Sequence, residues 1–144
     1  MTTVNRSAIV PYSAAQMYAL VDNIARYPEF LPWCAAAQEI SRTPDAVQAM
    51  LTLQWKGFSK NFTTRNLLQP HKMMEIRLVD GPFKHLEGFW QFTPLGDQGS
   101  KVQLALEFEF SNHLISLAFS KVFEQISLQL VQAFCTRAVD VYGK

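Results

Sequence analysis

The sequence predicts an α+β fold in which a curved antiparallel sheet clasps one long C-terminal helix. Three observations predict it: a helical apolar repeat from about Asn112 to Tyr142, period-two alternation through most of the preceding chain, and a pair of short helical segments after the first strand. At 100° per residue, Ile115, Phe119, Val122, Phe123, Ile126, Leu130, Ala133, Phe134 and Val141 fall in one sector roughly 120° wide. A helix of that length runs about 40 Å, and a twisted antiparallel sheet is the surface able to receive so broad a stripe.

The elements follow in order. Arg6 to Val10 reads as a short strand stopped by Pro11. Ser13 stands where an N-cap belongs, before the amphipathic run Met17, Tyr18, Leu20, Val21 and Ile24. That helix breaks near Pro28, and Tyr27, Phe30, Leu31 and Trp33 form a second short turn ending at Pro32. From Gln38 the period becomes two: Val47, Ala49, Leu51, Leu53 and Trp55 share one face, and Gln48, Thr52 and Gln54 the other. Similar alternation recurs over Phe62–Leu68, in Met74, Ile76 and Leu78, in Leu86, Gly88, Trp90 and Phe92, and from Val102 to Phe110. Turn residues separate these runs at Pro44-Asp45, Lys56-Gly57, Gln69-Pro70, Asp80-Gly81-Pro82 and Leu95-Gly96-Asp97. A meander of hairpins results, with an apolar hollow expected between sheet and helix.

Size and composition bound the function. A chain of 144 residues is read as one domain, residues 1–144. Apolar content of 49% with 17% charged residues describes an ordinary globular protein, while 11 phenylalanines point either to a dense core or to a ring-lined cavity. A net charge of +1 gives no global attraction to nucleic acid, so DNA is not an expected partner and any anionic surface must be met by a local patch. The first residues contain no run fit for a signal peptide, and no segment reaches about 18 uninterrupted apolar residues, so a soluble, cytoplasmic protein is expected. Cys34 and Cys135 are too few and too far apart for a CxxC site, and His71, His85 and His113 have no ligand spacing; neither a metal nor a required cofactor is expected.

Several segments carry a family likeness. Val10-Pro-Tyr-Ser-Ala-Ala-Gln-Met-Tyr18, Tyr27-Pro-Glu-Phe-Leu-Pro-Trp33, Phe62-Thr-Thr-Arg65, Val79-Asp-Gly-Pro-Phe-Lys84 and Val131-Gln-Ala-Phe134 resemble the bacterial RatA family. That family stands with the mitochondrial coenzyme-Q-binding proteins in the START-like, polyketide-cyclase-like superfamily, and the resemblance covers nearly the whole chain. It implies a helix-grip fold with a cavity between the sheet and the last helix. Two activities are implied with it: binding of ubiquinone or another polyisoprenoid lipid, and binding of the large ribosomal subunit so that it cannot join the small one.

Under that implication the inward residues become candidate ligand contacts. From the strands they are Trp55, Phe62, Met74, Leu86, Trp90 and Phe108, and from the helix Phe119, Phe123, Ile126 and Leu130. Without the resemblance, the same residues would be expected simply to fill a core. Thr64 and Asn66 share the phase of Phe62 and Leu68 and are placed to hold a quinone carbonyl or headgroup; a one-residue slip would present Thr63 and Arg65 instead. Phe83, in the Asp80–Lys84 turn, is a candidate lid residue. Arg137 lies within the apolar sector of the helix and either pairs with Glu29 or Asp22 or meets a headgroup at the cavity mouth.

The remaining surface suggests less. Leu117, Leu128, Val131 and Cys135 lie opposite the main stripe, covered by the N-terminal helices or by a partner. Lys56, Lys60, Lys84 and Lys121 are either solvated or phosphate contacts for ribosomal RNA. Arg65, Glu75, Arg77, Glu107 and Glu109 are expected on the outer sheet face as cross-strand ion pairs. No nucleophile elbow, triad or paired inward carboxylate is legible, so no catalytic residue is assigned. A cyclase or dehydratase acting on an aromatic or polyketide substrate in the same cavity is the alternative, resting on fold analogy.

Overall fold

The computed structural model describes residues 1–143. Seven strands and two α-helices follow the chain as β1 (Thr2–Val10), α1 (Ala14–Asp22), β2 (Cys34–Arg42), β3 (Ala46–Trp55), β4 (Phe58–Gln69), β5 (Met73–Asp80), β6 (Phe83–Leu95), β7 (Gly99–Phe110) and α2 (His113–Tyr142), with a 3₁₀ helix at Ile24–Glu29 after α1. All strands join one antiparallel sheet in the order β1-β7-β6-β5-β4-β3-β2. The chain thus meanders from β2 to β7, and β1 closes on the far side of β7. The sheet grips α2.

Local chemistry sets the element ends. Ser13 Oγ accepts from Gln16 N at 3.1 Å while the Gln16 side chain accepts from Ser13 N at 2.9 Å, a reciprocal cap that fixes the start of α1. Asn112 caps α2 by accepting from Leu114 N and Ile115 N at 2.8 and 3.3 Å. Gly143, at φ 76°, ends it. Lys56 and Gly57 both take positive φ in the two-residue turn between Trp55 and Phe58, which matches the twist of the flanking strands. Tyr12 donates from its hydroxyl to Gly143 O, and Tyr142 donates to Gln16 O at 2.8 Å, so both ends of the fold are tied together.

Several expectations need correction. β1 is longer than Arg6–Val10 because its full length pairs with β7, although only Val4 and Val10 bury deeply. The second helical turn lies earlier than expected: the 3₁₀ helix takes in Pro28, and Tyr27 O accepts from both Phe30 N and Leu31 N, leaving Trp33 in the link to β2. β2 starts at Cys34 rather than Gln38, and two bulges break its alternation. Val141, expected in the inward stripe, is exposed. Of the residues opposite the main stripe, Val131 is buried and Leu117 lies open. On the outer face Glu109 of β7 pairs across strands with Lys84 of β6 at 3.6 Å, but Arg77 bonds Glu75 within β5 at 2.9 Å, and Arg65 sits opposite Arg77 and Glu87 opposite Glu107.

Candidate ligand-binding chamber

Between sheet and α2 lies a hollow of about 90 Å³. Every other residue along adjacent strands points into it, as pleating requires. The sheet contributes Leu51 from β3, Phe62, Thr64 and Asn66 from β4, Ile76 from β5, Leu86 and Trp90 from β6, and Leu106 from β7. From α2 come Phe123, Ile126, Ser127, Leu130 and Phe134, spaced by three or four residues along one face. Tyr27 and Trp33 close one end. There Phe134 meets Trp90, Tyr27 and Phe30 edge-on, with ring centroids 5.2, 5.5 and 5.1 Å apart.

Polar groups in the wall are few. The Thr64 hydroxyl donates to Asn66 Oδ1 at 3.1 Å, and Asn66 Nδ2 donates to the Met74 sulfur at 3.5 Å. A thioether is a weak acceptor, so the amide keeps donor capacity for a better one. Ser127 donates to Phe123 O at 2.8 Å, and Tyr27 donates to Val21 O. Burial, with Asp22 nearby, pushes the Tyr27 phenol far above its ordinary range, so that it keeps its proton. The chamber is therefore an apolar box with one amide–hydroxyl pole.

Of the predicted contacts, Phe62, Thr64, Asn66, Leu86, Trp90, Phe123, Ile126 and Leu130 come together in this wall. Six do not. Trp55 is 37% exposed at the β3–β4 tip, where the strand overhangs the end of the chamber. Met74 is buried behind Asn66, and Phe108 packs against Phe123 from outside the hollow at 4.7 Å. Phe119 stacks on Phe58 at 3.8 Å beyond the wall. Phe83 opens β6 and stacks on Phe110 at 4.7 Å; with Pro82 O accepting from Ser111 N, that turn is pinned rather than a free lid. Arg137 donates to Glu29 Oε1 at 2.7 Å and lies over the Phe30 ring, which satisfies its charge away from the chamber. Glu29, held by Arg26 and Arg137, has its carboxyl below the usual range.

Sequence reasoning passed over Leu51, Ile76, Leu106, Tyr27, Trp33, Ser127 and Phe134 as ligand contacts, although it put the first three on the inward face of their strands. Phe134 was visible in the helical stripe, and Ser127 follows Ile126 at the stripe's edge. Tyr27 and Trp33 carried no periodic signal. They belong to an irregular segment placed by the fold.

A curved sheet around a long helix with a hollow between them defines a START-like helix-grip domain. The profile described as polyketide cyclase / dehydrase and lipid transport matches residues 10–135, and the chain belongs to that family. Within it, the chain is 46% identical to the ribosome association toxin RatA of Escherichia coli K12, over 99% of this chain and 90% of that one. It is 28% identical to the mitochondrial coenzyme Q-binding protein COQ10 homolog B of Xenopus laevis, over 97% of this chain and 59% of that one. Among solved structures, the Zhui aromatase/cyclase of Streptomyces superposes with a TM-score of 0.83 at 16% identity, covering 99% of this chain and 98% of that one; this shows shared fold.

Proposed function

We propose that this is a non-enzymatic binding protein that associates, in the cytoplasm, with the large ribosomal subunit and hinders its joining to the small one. The observation that carries this reading is the 46% identity to a ribosome association toxin along nearly the whole chain. The chamber supports a binding role rather than a cyclase or dehydratase. Its Tyr27 and Ser127 hydroxyls are engaged with backbone carbonyls, and its free pole, Thr64 with Asn66, contains no group that titrates near neutrality. Sedimentation of purified protein with isolated large subunits tests the reading. Co-migration that weakens with salt is expected, and protein left at the top of a low-salt gradient contradicts it.

A second reading concerns the chamber itself, which we take as a site for the ring end of ubiquinone or a similar isoprenoid quinone. The Thr64–Asn66 pole on an otherwise apolar wall favours it: an amide N–H suits a quinone carbonyl, and the surrounding rings suit the quinone face. Likeness to a coenzyme Q-binding protein adds support. A cavity of about 150 Å³ holds one benzene. At about 90 Å³ the hollow accepts a substituted ring only as the wall parts.

A further inference from the structure

One end of the molecule gathers exposed apolar side chains and unpaired lysines. It is built from the β3–β4 turn and the first turns of α2, joined by the Phe58–Phe119 stack. Leu114 and Leu117 are 74% and 70% exposed, and Trp55 adds a partly open indole. Leu114, Leu117 and Lys121 recur at i, i+3 and i+7, so they share one outward helix face, opposite the face that sends Phe119 and Phe123 inward. Lys56 and Lys60 lie exposed on the hairpin beside it, and among the described residues none of the three lysines pairs with a carboxylate. Nearby acids are Asp80, Glu124 and Glu109, the last already engaged by Lys84 and the chain's amino terminus at 3.6 and 3.7 Å. α2 also holds an 18-residue stretch apolar enough by composition to cross a membrane, yet only 28% of it is buried.

From this we infer that the β3–β4 tip and the start of α2 form a docking surface for an anionic phospholipid bilayer. Leu114, Leu117 and Trp55 enter the acyl boundary while Lys56, Lys60 and Lys121 meet lipid phosphates. The combination selects this occupant. Aliphatic side chains projecting from a helix start have nothing to stack on in RNA, whereas leucines below a lysine rim match an interfacial helix face. A second copy of the chain would bring the same lysines face to face, and so few apolar side chains fall well short of the roughly 20–30 residues a stable interface uses. Asn112, capping α2, holds the leucines in place before any lipid arrives.

The test is sedimentation of the full chain with vesicles of phosphatidylcholine alone and of phosphatidylcholine mixed with phosphatidylglycerol. Binding is expected to the mixed vesicles and to fall with salt. Each of Lys56→Gln, Lys60→Gln and Lys121→Gln lowers the partition coefficient roughly fivefold. Leu114→Ser with Leu117→Ser lowers it at least about tenfold, with an unchanged melting temperature because both positions are already in water. Equal binding by the leucine variant, or no binding to mixed vesicles at low salt, overturns the proposal. So does a leucine variant that loses large-subunit binding or self-association while the parent protein ignores vesicles. Because the readout needs neither ribosome nor quinone, its failure is separate from failure of the proposed function.

Discussion

Thr64 and Asn66 set the chemistry of the chamber, because their side chains bond to each other and to the Met74 sulfur rather than to the backbone. Replacing Thr64 by Val leaves the buried Asn66 Oδ1 without its donor, which costs about 1–2 kcal/mol. Adding Asn66→Leu removes the stranded acceptor as well, so the double variant should be more stable than the single one; urea unfolding of the two variants checks this. Tyr18 presents the reverse situation. Its ring packs edge-on against Phe92 and its buried hydroxyl has no partner. Burial, with Asp22 nearby, pushes its phenol up to about 12. The folded state therefore holds this proton more tightly than the unfolded state, whose phenol titrates near 10.0, and stability falls as pH rises between those values. Tyr18→Phe should leave stability at neutral pH unchanged or higher and flatten that alkaline loss, as pH-dependent melting would show. The inward phase of Thr64 and Asn66 was legible because Phe62 and Leu68 flank them at the same parity. Trp55 misled the same argument: parity names a face but cannot say where along a strand the helix stops covering it.

At the scale of elements, the strands with strict alternation were legible from sequence and the irregular ones were not. β7 buries Val102, Leu104, Leu106, Phe108 and Phe110 in unbroken alternation, as its sequence implies. β2 conceals its start through two bulges, and the 3₁₀ helix has too few residues to set a period. The sheet's curvature was expected, but the close approach of β6 and β7 at Gly88 was not legible. A Cβ there would lie 2.1 Å from Ala105 O and 2.8 Å from Leu106 Cα, so β6 and β7 approach in a way only glycine permits. In sequence Gly88 was simply one more inward position between Leu86 and Trp90. Gly88→Ala should destabilise the protein by about 3 kcal/mol or prevent soluble expression, because the obstructing atoms are backbone and cannot rotate away. Chemical denaturation of whatever protein is recovered measures the loss.

For the whole molecule, the antiparallel grip on α2 was predictable from the width of the helical stripe, but the size of the space inside it was not. That volume is set by how the rings of Phe134, Trp90 and Tyr27 meet, a matter of ångströms that no periodicity encodes. The result is a chamber of about 90 Å³, smaller than the roughly 300–1,000 Å³ of ordinary ligand pockets, within a chain for which we propose association with the ribosome. Surface recognition does not require the chamber to fill, and ring binding requires its wall to move. The central claim is that this space is a binding site and not a packing remainder. Two of the three tryptophans, Trp33 and Trp90, line it, and Trp55 does not. The most direct measurement is therefore fluorescence of a Trp55→Phe variant titrated with a short-chain ubiquinone, since a quinone quenches an indole it touches. Saturable quenching that weakens when Thr64→Val and Asn66→Leu are added is the predicted result. Quenching that rises only linearly, as for a free indole in solution, would contradict the account.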